Sequence, residues 1–93
     1  MNLYKMRKIW SGRSWEEYVA WQSEDRKTLK RINALIKDIE RNGCLVGIGK
    51  PEALKNKLSG WYSRRIDEIN RLVYRMPDEN SIEISQCKNH YDD

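Results

Sequence analysis

The chain has 93 residues, a mass of 11.2 kDa and a formal net charge of +4 at pH 7. This length suits one compact domain and excludes an enzyme with a separate cofactor-binding domain. No apolar run approaches the roughly 20 residues of a membrane-spanning helix, and no apolar stretch follows the basic N-terminus as in a signal peptide. We therefore expect a single cytoplasmic domain over residues 1–93, with no membrane partner.

Charge is distributed unevenly along this chain. Residues 1–76 carry 17 of the 18 Lys and Arg residues and nine of the 14 acidic residues, a net charge of +8. A basic body favours a polyanionic partner, nucleic acid first, although many soluble basic proteins bind no polyanion. Two distant cysteines, Cys44 and Cys87, with the single His90 exclude a four-ligand Cys/His zinc site within one chain. We expect neither a metal nor a cofactor.

The first half of the chain predicts one strand and two helices. Met6–Trp10 has apolar ends and a basic middle, which suits a short strand. Ser14 followed by Glu17 fits a capping box at the start of a first helix that ends near Ser23. A second helix is predicted up to Asn42-Gly43, where a left-handed cap residue is available. It is indicated by apolar residues at helical spacing, namely Leu29, Ile32, Leu35, Ile36 and Ile39.

The second half predicts a loop and then three strands. Gly43–Pro51 is rich in turn residues, and Pro51–Lys55 is predicted to form one helical turn. Strand-like runs follow at Trp61–Ile66, Ile69–Met76 and Ser81–Cys87. Because their connections are short, these strands form an antiparallel meander. The sequence therefore predicts an α+β fold, an antiparallel sheet with two helices packed on one face and its other face open.

Two arginines are expected on the open face of that sheet. Alternation along the strand directs Leu72 and Tyr74 toward the helices and Arg71 toward the open face. Arg65, on the preceding strand, approaches the same face across a short turn. Such a pair would bind phosphate bidentately, although strand arginines more often serve as solvated surface groups.

The only histidine is a candidate acid–base group. A histidine near a terminus is usually a polar surface residue, but histidine is the one side-chain type that titrates near neutral pH. In an acid–base enzyme His90 would therefore be the leading candidate by elimination. Its partner would be a carboxylate, and Glu52, which lies between two lysines, is the best placed. Spacing alone does not separate Glu52 from Asp67 or Glu68.

An ordered set of motifs extends over Met6–Tyr91. These are Lys8-Ile9-Trp10-Ser11, Trp15-Glu16-Glu17-Tyr18, Gly49-Lys50-Pro51-Glu52-Ala53-Leu54-Lys55, Ser63-Arg64-Arg65-Ile66, Arg71-Leu72-Val73-Tyr74 and His90-Tyr91. Together they resemble the YoeB/Txe toxins of bacterial type II toxin–antitoxin pairs, in the RelE-like superfamily. The resemblance implies a RelE-like microbial-RNase fold. It also implies a ribosome-dependent mRNA endoribonuclease (an mRNA interferase) that cleaves the codon in the ribosomal A site.

The resemblance further implies roles for individual residues. Glu52 would be the general base that removes the 2′-hydroxyl proton, and His90 the general acid that protonates the leaving oxygen. Arg71 would stabilise the transition state, and Tyr91 would orient the mRNA at the catalytic site. The products would be a 2′,3′-cyclic phosphate and a 5′-hydroxyl. Two further cations would bind phosphate, namely Lys55 and Arg65.

Partners also follow from the resemblance. A YefM-like antitoxin would neutralise the toxin, the ribosome and mRNA would be its targets, and operator DNA would be bound only through the antitoxin complex. The family often forms homodimers, for which Trp10, Trp15 or Trp21 would supply an interface, although these residues suit the core equally well. One alternative is a non-catalytic member that binds antitoxin and operator as a corepressor. Another is a basic RNA-binding module with no toxin role.

Three segments depart from the family pattern. Ile69-Asn70 stands where the family usually has an acidic or polar residue followed by His, which puts any RNA contact by that turn in doubt. Asp92-Asp93 extend beyond the usual His-Tyr terminus. Residues 1–5 are expected to be an N-terminal extension.

Overall fold

A computed structural model describes residues 6–92 of the chain. Its elements are β1 (Arg7–Trp10), α1 (Gly12–Glu24), α2 (Arg26–Asn42), β2 (Glu52–Ala53), a 3-10 helix (Asn56–Leu58), β3 (Tyr62–Arg65), β4 (Arg71–Asp78) and β5 (Ser81–Gln86). The predicted extension at residues 1–5 lies outside the described residues, as does Asp93.

The five strands form one sheet in the order β1-β5-β4-β3-β2. The pairs β2–β3, β3–β4 and β4–β5 are antiparallel, so the predicted meander is confirmed. The sheet is mixed rather than wholly antiparallel, because β1 pairs parallel with β5 at one edge. The helices and three other strands separate β1 from β5 along the chain, so no tight turn forces these two strands to run in opposite directions.

Both helices cover one face of the sheet, as the α+β prediction requires. In the apolar stripe of α2, Leu29 is partly buried and the other four residues are 0–6% exposed; Trp21 of α1 lies in the same core. From the sheet, four side chains with no exposed surface complete this core, namely Leu72, Tyr74, Ile82 and Ile84. Each such aliphatic side chain contributes roughly 1.5–3 kcal/mol to folding by leaving water.

The N-cap of helix α1 lies three residues before the predicted one. Ser11 is the N-cap, with extended backbone and a hydroxyl that accepts a hydrogen bond from Ser14 N at 3.0 Å. Ser14 is instead buried inside the helix, where its hydroxyl donates to Ile84 O at 2.7 Å. Glu17 accepts a hydrogen bond from Cys87 N at 2.8 Å and pairs with Arg13. The predicted capping box was therefore wrong, because both polar groups serve contacts with other residues.

The segment after α2 confirms one prediction and corrects another. Helix α2 ends at Gly43, whose φ of +86° lies in the region that favours glycine. The helical turn predicted for Pro51–Lys55 is wrong, because Glu52–Ala53 is extended and pairs with β3. Leu54 N donates to Trp61 O at 2.9 Å and extends that contact. Pairing to the sheet edge satisfies backbone groups that an isolated single turn would leave to water.

The described residues contain no helix that is both long and apolar enough to cross a membrane.

Candidate active site

The sheet face opposite the helices brings three predicted site residues together. Arg65 lies directly opposite Arg71 in the β3–β4 pair, and Glu52 lies opposite Ser63 in the β2–β3 pair. Residues opposite each other in a sheet share a face, and alternate residues along a strand share it too. We call this surface the site face; it comprises Glu52, Ser63, Arg65, Arg71, Val73 and Gln86.

The middle of the site face is covered rather than open. Ser63, Val73 and Gln86 are 3%, 1% and 6% exposed. The C-terminal tail, residues 87–92, bends back here, because the Gln86 side chain binds backbone carbonyls of the tail. The prediction of an open face is corrected accordingly, because the exposed groups lie only toward its margins.

Glu52 stands at one margin of the site face. It is exposed and lies on β2, the edge strand of the sheet. Two strand spacings, about 10 Å, separate its backbone from that of Val73 on β4. A carboxylate at this position is available to a substrate that lies across β2, β3 and β4.

The arginine pair stands at the end of β3 and the start of β4. Arg65 is exposed, and Arg71 is half-buried. The Nη1 atom of Arg71 donates to Asp67 O at 2.8 Å and to Asn70 O at 3.2 Å, which fixes the plane of its guanidinium. The two cations therefore meet on one face, as strand alternation predicted.

The turn before Arg71 is held by Asp67. Its carboxylate accepts hydrogen bonds from Ile69 N at 2.8 Å, from Asn70 N at 2.7 Å and from the Asn70 side chain. Burial acts to raise the pKa of Asp67, but these hydrogen bonds prevail and lower its pKa below the usual value. Asp67, one of the carboxylates that spacing alone left open, is thus committed to its own turn.

The tail brings His90 and Tyr91 to the arginine end of the site face. Arg71 N donates to Asn89 O at 3.1 Å, and Asn89 N donates to the Asn70 side chain at 2.7 Å. His90 is exposed; its ring stacks on Tyr91 at a centroid separation of 4.8 Å, and Nδ1 lies 3.2 Å from Tyr91 O. Asn70, which the sequence marked only as a departure, is therefore an anchor of this tail.

Lys55 is exposed and lies beyond β2, immediately before the 3-10 helix. It follows Glu52 by three residues. Its assignment as a phosphate ligand stays a prediction.

A buried arginine that sequence reasoning missed supports the loop before Glu52. Arg64 has no exposed surface and forms an ion pair with Asp38 of α2. Its guanidinium also donates to the Tyr74 hydroxyl and to three carbonyls of the Gly43–Ile48 loop. The loop that leads to β2 is thereby tied to both α2 and β4.

The electrostatics of this cluster follow from its contacts. The hydrogen bond from Arg64 lowers the pKa of Asp38, against the opposing effect of burial. Burial raises the pKa of Tyr74 to about 12, although Arg64 beside it acts in the other direction. At neutral pH the cluster therefore consists of a charged Arg64–Asp38 pair and a neutral phenol.

The two cysteines are free thiols with raised pKa values. Burial raises the pKa of the fully buried Cys87 to about 12, and burial also raises the pKa of the half-buried Cys44. Within residues 6–92, no group of three or more His, Cys, Asp and Glu side chains could hold a metal ion.

Comparison with known proteins identifies the family. The sequence profile described as "YoeB-like toxin of bacterial type II toxin-antitoxin system" matches residues 10–91. The chain belongs to the YoeB toxin family. Toxin YoeB of Escherichia coli (strain K12) is 50% identical over 86 residues, which are 92% of this YoeB-family chain and all of the E. coli protein. Toxin RelK of Mycobacterium tuberculosis is 46% identical over 78 residues, 84% of this chain and 89% of that protein.

Solved structures confirm the fold of this YoeB family member. A YoeB dimer from Staphylococcus aureus is similar with a TM-score of 0.87 and 49% identity, covering 94% of this chain and 99% of that one. A heterotetrameric YoeB–YefM complex from the same organism gives a TM-score of 0.87 at 50% identity, covering 92% and 98%. YafQ from E. coli strain BL21(DE3), at 17% identity and a TM-score of 0.68, shares the fold and covers 91% and 93%. The RelE-like α+β fold expected from the sequence is thus confirmed.

Proposed function

We propose that this YoeB-family toxin is a ribosome-dependent mRNA endoribonuclease, which acts in the cytoplasm and cleaves the codon in the ribosomal A site. The observation that carries the proposal is the composition of the site face. A carboxylate, Glu52, and an arginine pair, Arg65 and Arg71, share that face. The backbone of Arg71 binds Asn89, the residue before His90. The proposed base and the two cations share this face, and the proposed acid follows a residue that is bound to Arg71.

The chemistry assigned to these groups is transesterification within RNA. Glu52 removes the proton of a 2′-hydroxyl, and the 2′-oxygen forms a bond to the adjacent phosphorus. His90 gives a proton to the 5′-oxygen as the bond from phosphorus to that oxygen breaks. The guanidinium of Arg71 stabilises the additional negative charge of the phosphorane between these two events. The products are a 2′,3′-cyclic phosphate and a 5′-hydroxyl, and neither a metal nor a cofactor takes part.

The exposure of the site supports the dependence on the ribosome. Glu52, Arg65 and His90 are all exposed, so these groups alone do not enclose and desolvate an RNA strand. A second surface is therefore needed to position the mRNA, and the A site is the one we propose. Lys55 and Arg65 bind backbone phosphates, and Tyr91 orients the nucleotide beside His90.

A YefM-like antitoxin is the proposed cellular partner. The relative from S. aureus is found in a YoeB–YefM complex. The net charge of +8 over residues 1–76 favours an acidic, partly disordered segment that folds over the site face. Operator DNA is bound only through this complex. The prediction fails if the antitoxin occupies only the exposed face of α2 and leaves Arg65, Arg71 and His90 active.

A homodimer is a further proposal, motivated by the S. aureus YoeB dimer. Trp15 is 50% exposed and lies in a cluster with Trp10 and Tyr18, at ring-centroid separations of 4.6–6.1 Å. This cluster offers an apolar contact area, whereas Trp21 is buried in the core. Analytical ultracentrifugation of the wild type and of Trp15→Ser tests this assignment, because dissociation of a wild-type dimer is expected for the variant.

Substitution of the three central groups tests the nuclease directly. We expect Glu52→Gln, Arg71→Ala and His90→Gln each to abolish most growth arrest, since a general acid or base contributes about 10²- to 10⁴-fold to a rate. Lys37→Gln, on the exposed face of α2, is the matched control and should stay toxic. Mapping mRNA 5′ ends minutes after induction gives the cleavage sites.

The outcome also separates the competing functions. Full growth arrest by soluble His90→Gln would contradict the acid assignment and favour Tyr91 or a ribosomal group as proton donor. If the wild type leaves mRNA intact yet strengthens the binding of its antitoxin to operator DNA, the non-catalytic corepressor is the correct reading. Loss of folding in His90→Gln would make that residue structural.

A further inference from the structure

A buried glutamine on the site face binds the chain segment that carries His90. Gln86 is 6% exposed and lies at the end of β5, directly opposite Val73 of β4. Its Nε2 atom donates to Lys88 O at 3.1 Å, to Asn89 O at 3.3 Å and to His90 O at 3.0 Å. One NH₂ group, with two hydrogens to donate, therefore lies within hydrogen-bond distance of three successive carbonyls and bends the tail back over the strand that precedes it.

A second set of contacts fixes the same turn from β4. Asn89 has a φ of +64°, a left-handed conformation that asparagine tolerates better than most residues. Its N–H donates to Asn70 Oδ1 at 2.7 Å, and its carbonyl accepts from Arg71 N at 3.1 Å. The residue before His90 is thus held between the backbone of Arg71 and the amide of Gln86.

We propose that Gln86 is a positioning residue that sets the place of His90 relative to Arg71. The proposal rests on the proposed nuclease function and deepens it. His90 itself is exposed; its ring stacks on the adjacent Tyr91, and its Nδ1 atom lies 3.2 Å from Tyr91 O. Its position is consequently determined by its backbone, and the His90 carbonyl is bound by Gln86.

The choice of residue at position 86 also points to this role. The neighbouring residue across the strands, Val73, is apolar and also buried, so a valine or leucine at position 86 would suit the sheet. Burying an amide costs free energy unless it is hydrogen-bonded. Here the NH₂ group of the amide is satisfied by the tail carbonyls that its Nε2 atom contacts. The Gln86 amide thus binds the tail, and packing of the sheet does not require a polar group at this position.

The decisive variant is Gln86→Met, which keeps the length of an unbranched side chain and removes the donor. Single-turnover cleavage on programmed ribosomes gives a maximal rate constant and a half-saturating toxin concentration. The rate of amide hydrogen exchange at residues 88–91 shows how firmly Gln86 fixes the tail, and it does not depend on catalytic activity. Gln22→Met, the same change at an exposed position of α1, is the matched control.

We expect Gln86→Met to lower the maximal rate by roughly 10- to 100-fold, the range typical of a displaced catalytic group, while the half-saturating concentration changes less than about twofold. Amides of residues 88–91 should exchange faster, and so should the Arg71 amide that donates to Asn89 O, whereas the amides of residues 72–78 in β4 should not. In a His90→Gln background the substitution should have no further effect, because its action passes through His90.

Two results would overturn the proposal, and both differ from failure of the nuclease itself. Unchanged exchange in the tail would show that Gln86 does not hold it, whatever the activity. An equal loss of rate in the wild-type and His90→Gln backgrounds would show a general structural effect. By contrast, a wild-type protein that leaves A-site mRNA intact refutes the proposed nuclease function. In that case the exchange measurement still shows whether Gln86 holds the tail.

Discussion

Replacing Arg64 with Met should remove a main polar anchor of the fold. The guanidinium has no exposed surface and donates to the Asp38 carboxylate, to the Tyr74 hydroxyl and to three carbonyls of residues 43–48. Methionine fills much of the same space without donors, so the measured loss reports mainly on these hydrogen bonds.

The expected loss of unfolding free energy depends on which hydrogen bonds the partners of Arg64 keep in the variant. Removing one partner of a buried ion pair costs roughly 3–5 kcal/mol, because the other charge is left uncompensated. Asp38 reduces this cost, since its side chain is 16% exposed and keeps hydrogen bonds from Ile48 N and the Asn42 side chain. With the three carbonyls included, we expect a loss of about 3–4 kcal/mol. At about 4–8 °C per kcal/mol for a domain of this size, Tm falls by roughly 12–32 °C.

Urea unfolding followed by tryptophan fluorescence and far-UV circular dichroism measures this loss. Arg13→Met is the matched control, because Arg13 also pairs with a carboxylate, Glu17, but its side chain is 56% exposed. An exposed pair of this kind contributes no more than about 1 kcal/mol. If Arg64→Met costs no more than Arg13→Met, the buried cluster is not the anchor described here.

The remaining predictions concern pH, thiol reactivity and the loop before β2. Because the hydrogen bond from Arg64 lowers the pKa of Asp38, the stability from this carboxylate is complete above the unfolded pKa of about 3.9 and is lost as pH falls below it. Asp38→Asn should therefore destabilise the protein at neutral pH and flatten the acid side of the urea-midpoint profile; an unaltered profile contradicts this. Cys87, with a pKa of about 12, should react with a thiol reagent only on unfolding and Cys44 sooner, so rapid native labelling of Cys87 would refute its burial. Gly49→Ala should cost about 1–3 kcal/mol in urea unfolding, because φ is +82° and a Cβ would lie 2.8 Å from a core leucine; a neutral effect refutes that geometry.

Elements with a strong local pattern were predictable from the sequence. The end of helix α2 was predicted correctly, because its apolar stripe and the Asn42-Gly43 stop signal are local features of the sequence. The start of α1 was misplaced because two serines could both cap it, and only contact with β5 assigns Ser14 to the interior. Strand β2 was missed because two residues at a sheet edge are extended only through their pairing with β3.

The candidate site, too, was predictable only where a local sequence pattern determines the structure. Strand alternation sufficed to place Arg65 and Arg71 on one face. Spacing left Glu52 undecided against Asp67, which the structure commits to its own turn. The contacts of Gln86 could not be anticipated, because its partners are backbone carbonyls, which every residue carries and which therefore give no sequence signal.

The central claim is tested most directly with purified protein and ribosomes that hold a defined mRNA codon in the A site. The account predicts rapid cleavage within that codon, with a 2′,3′-cyclic phosphate on one fragment and a 5′-hydroxyl on the other. Cleavage should be lost in Glu52→Gln and retained in Lys37→Gln. Intact mRNA with the wild type, or fragments that carry a 5′-phosphate, would contradict the proposed acid–base nuclease.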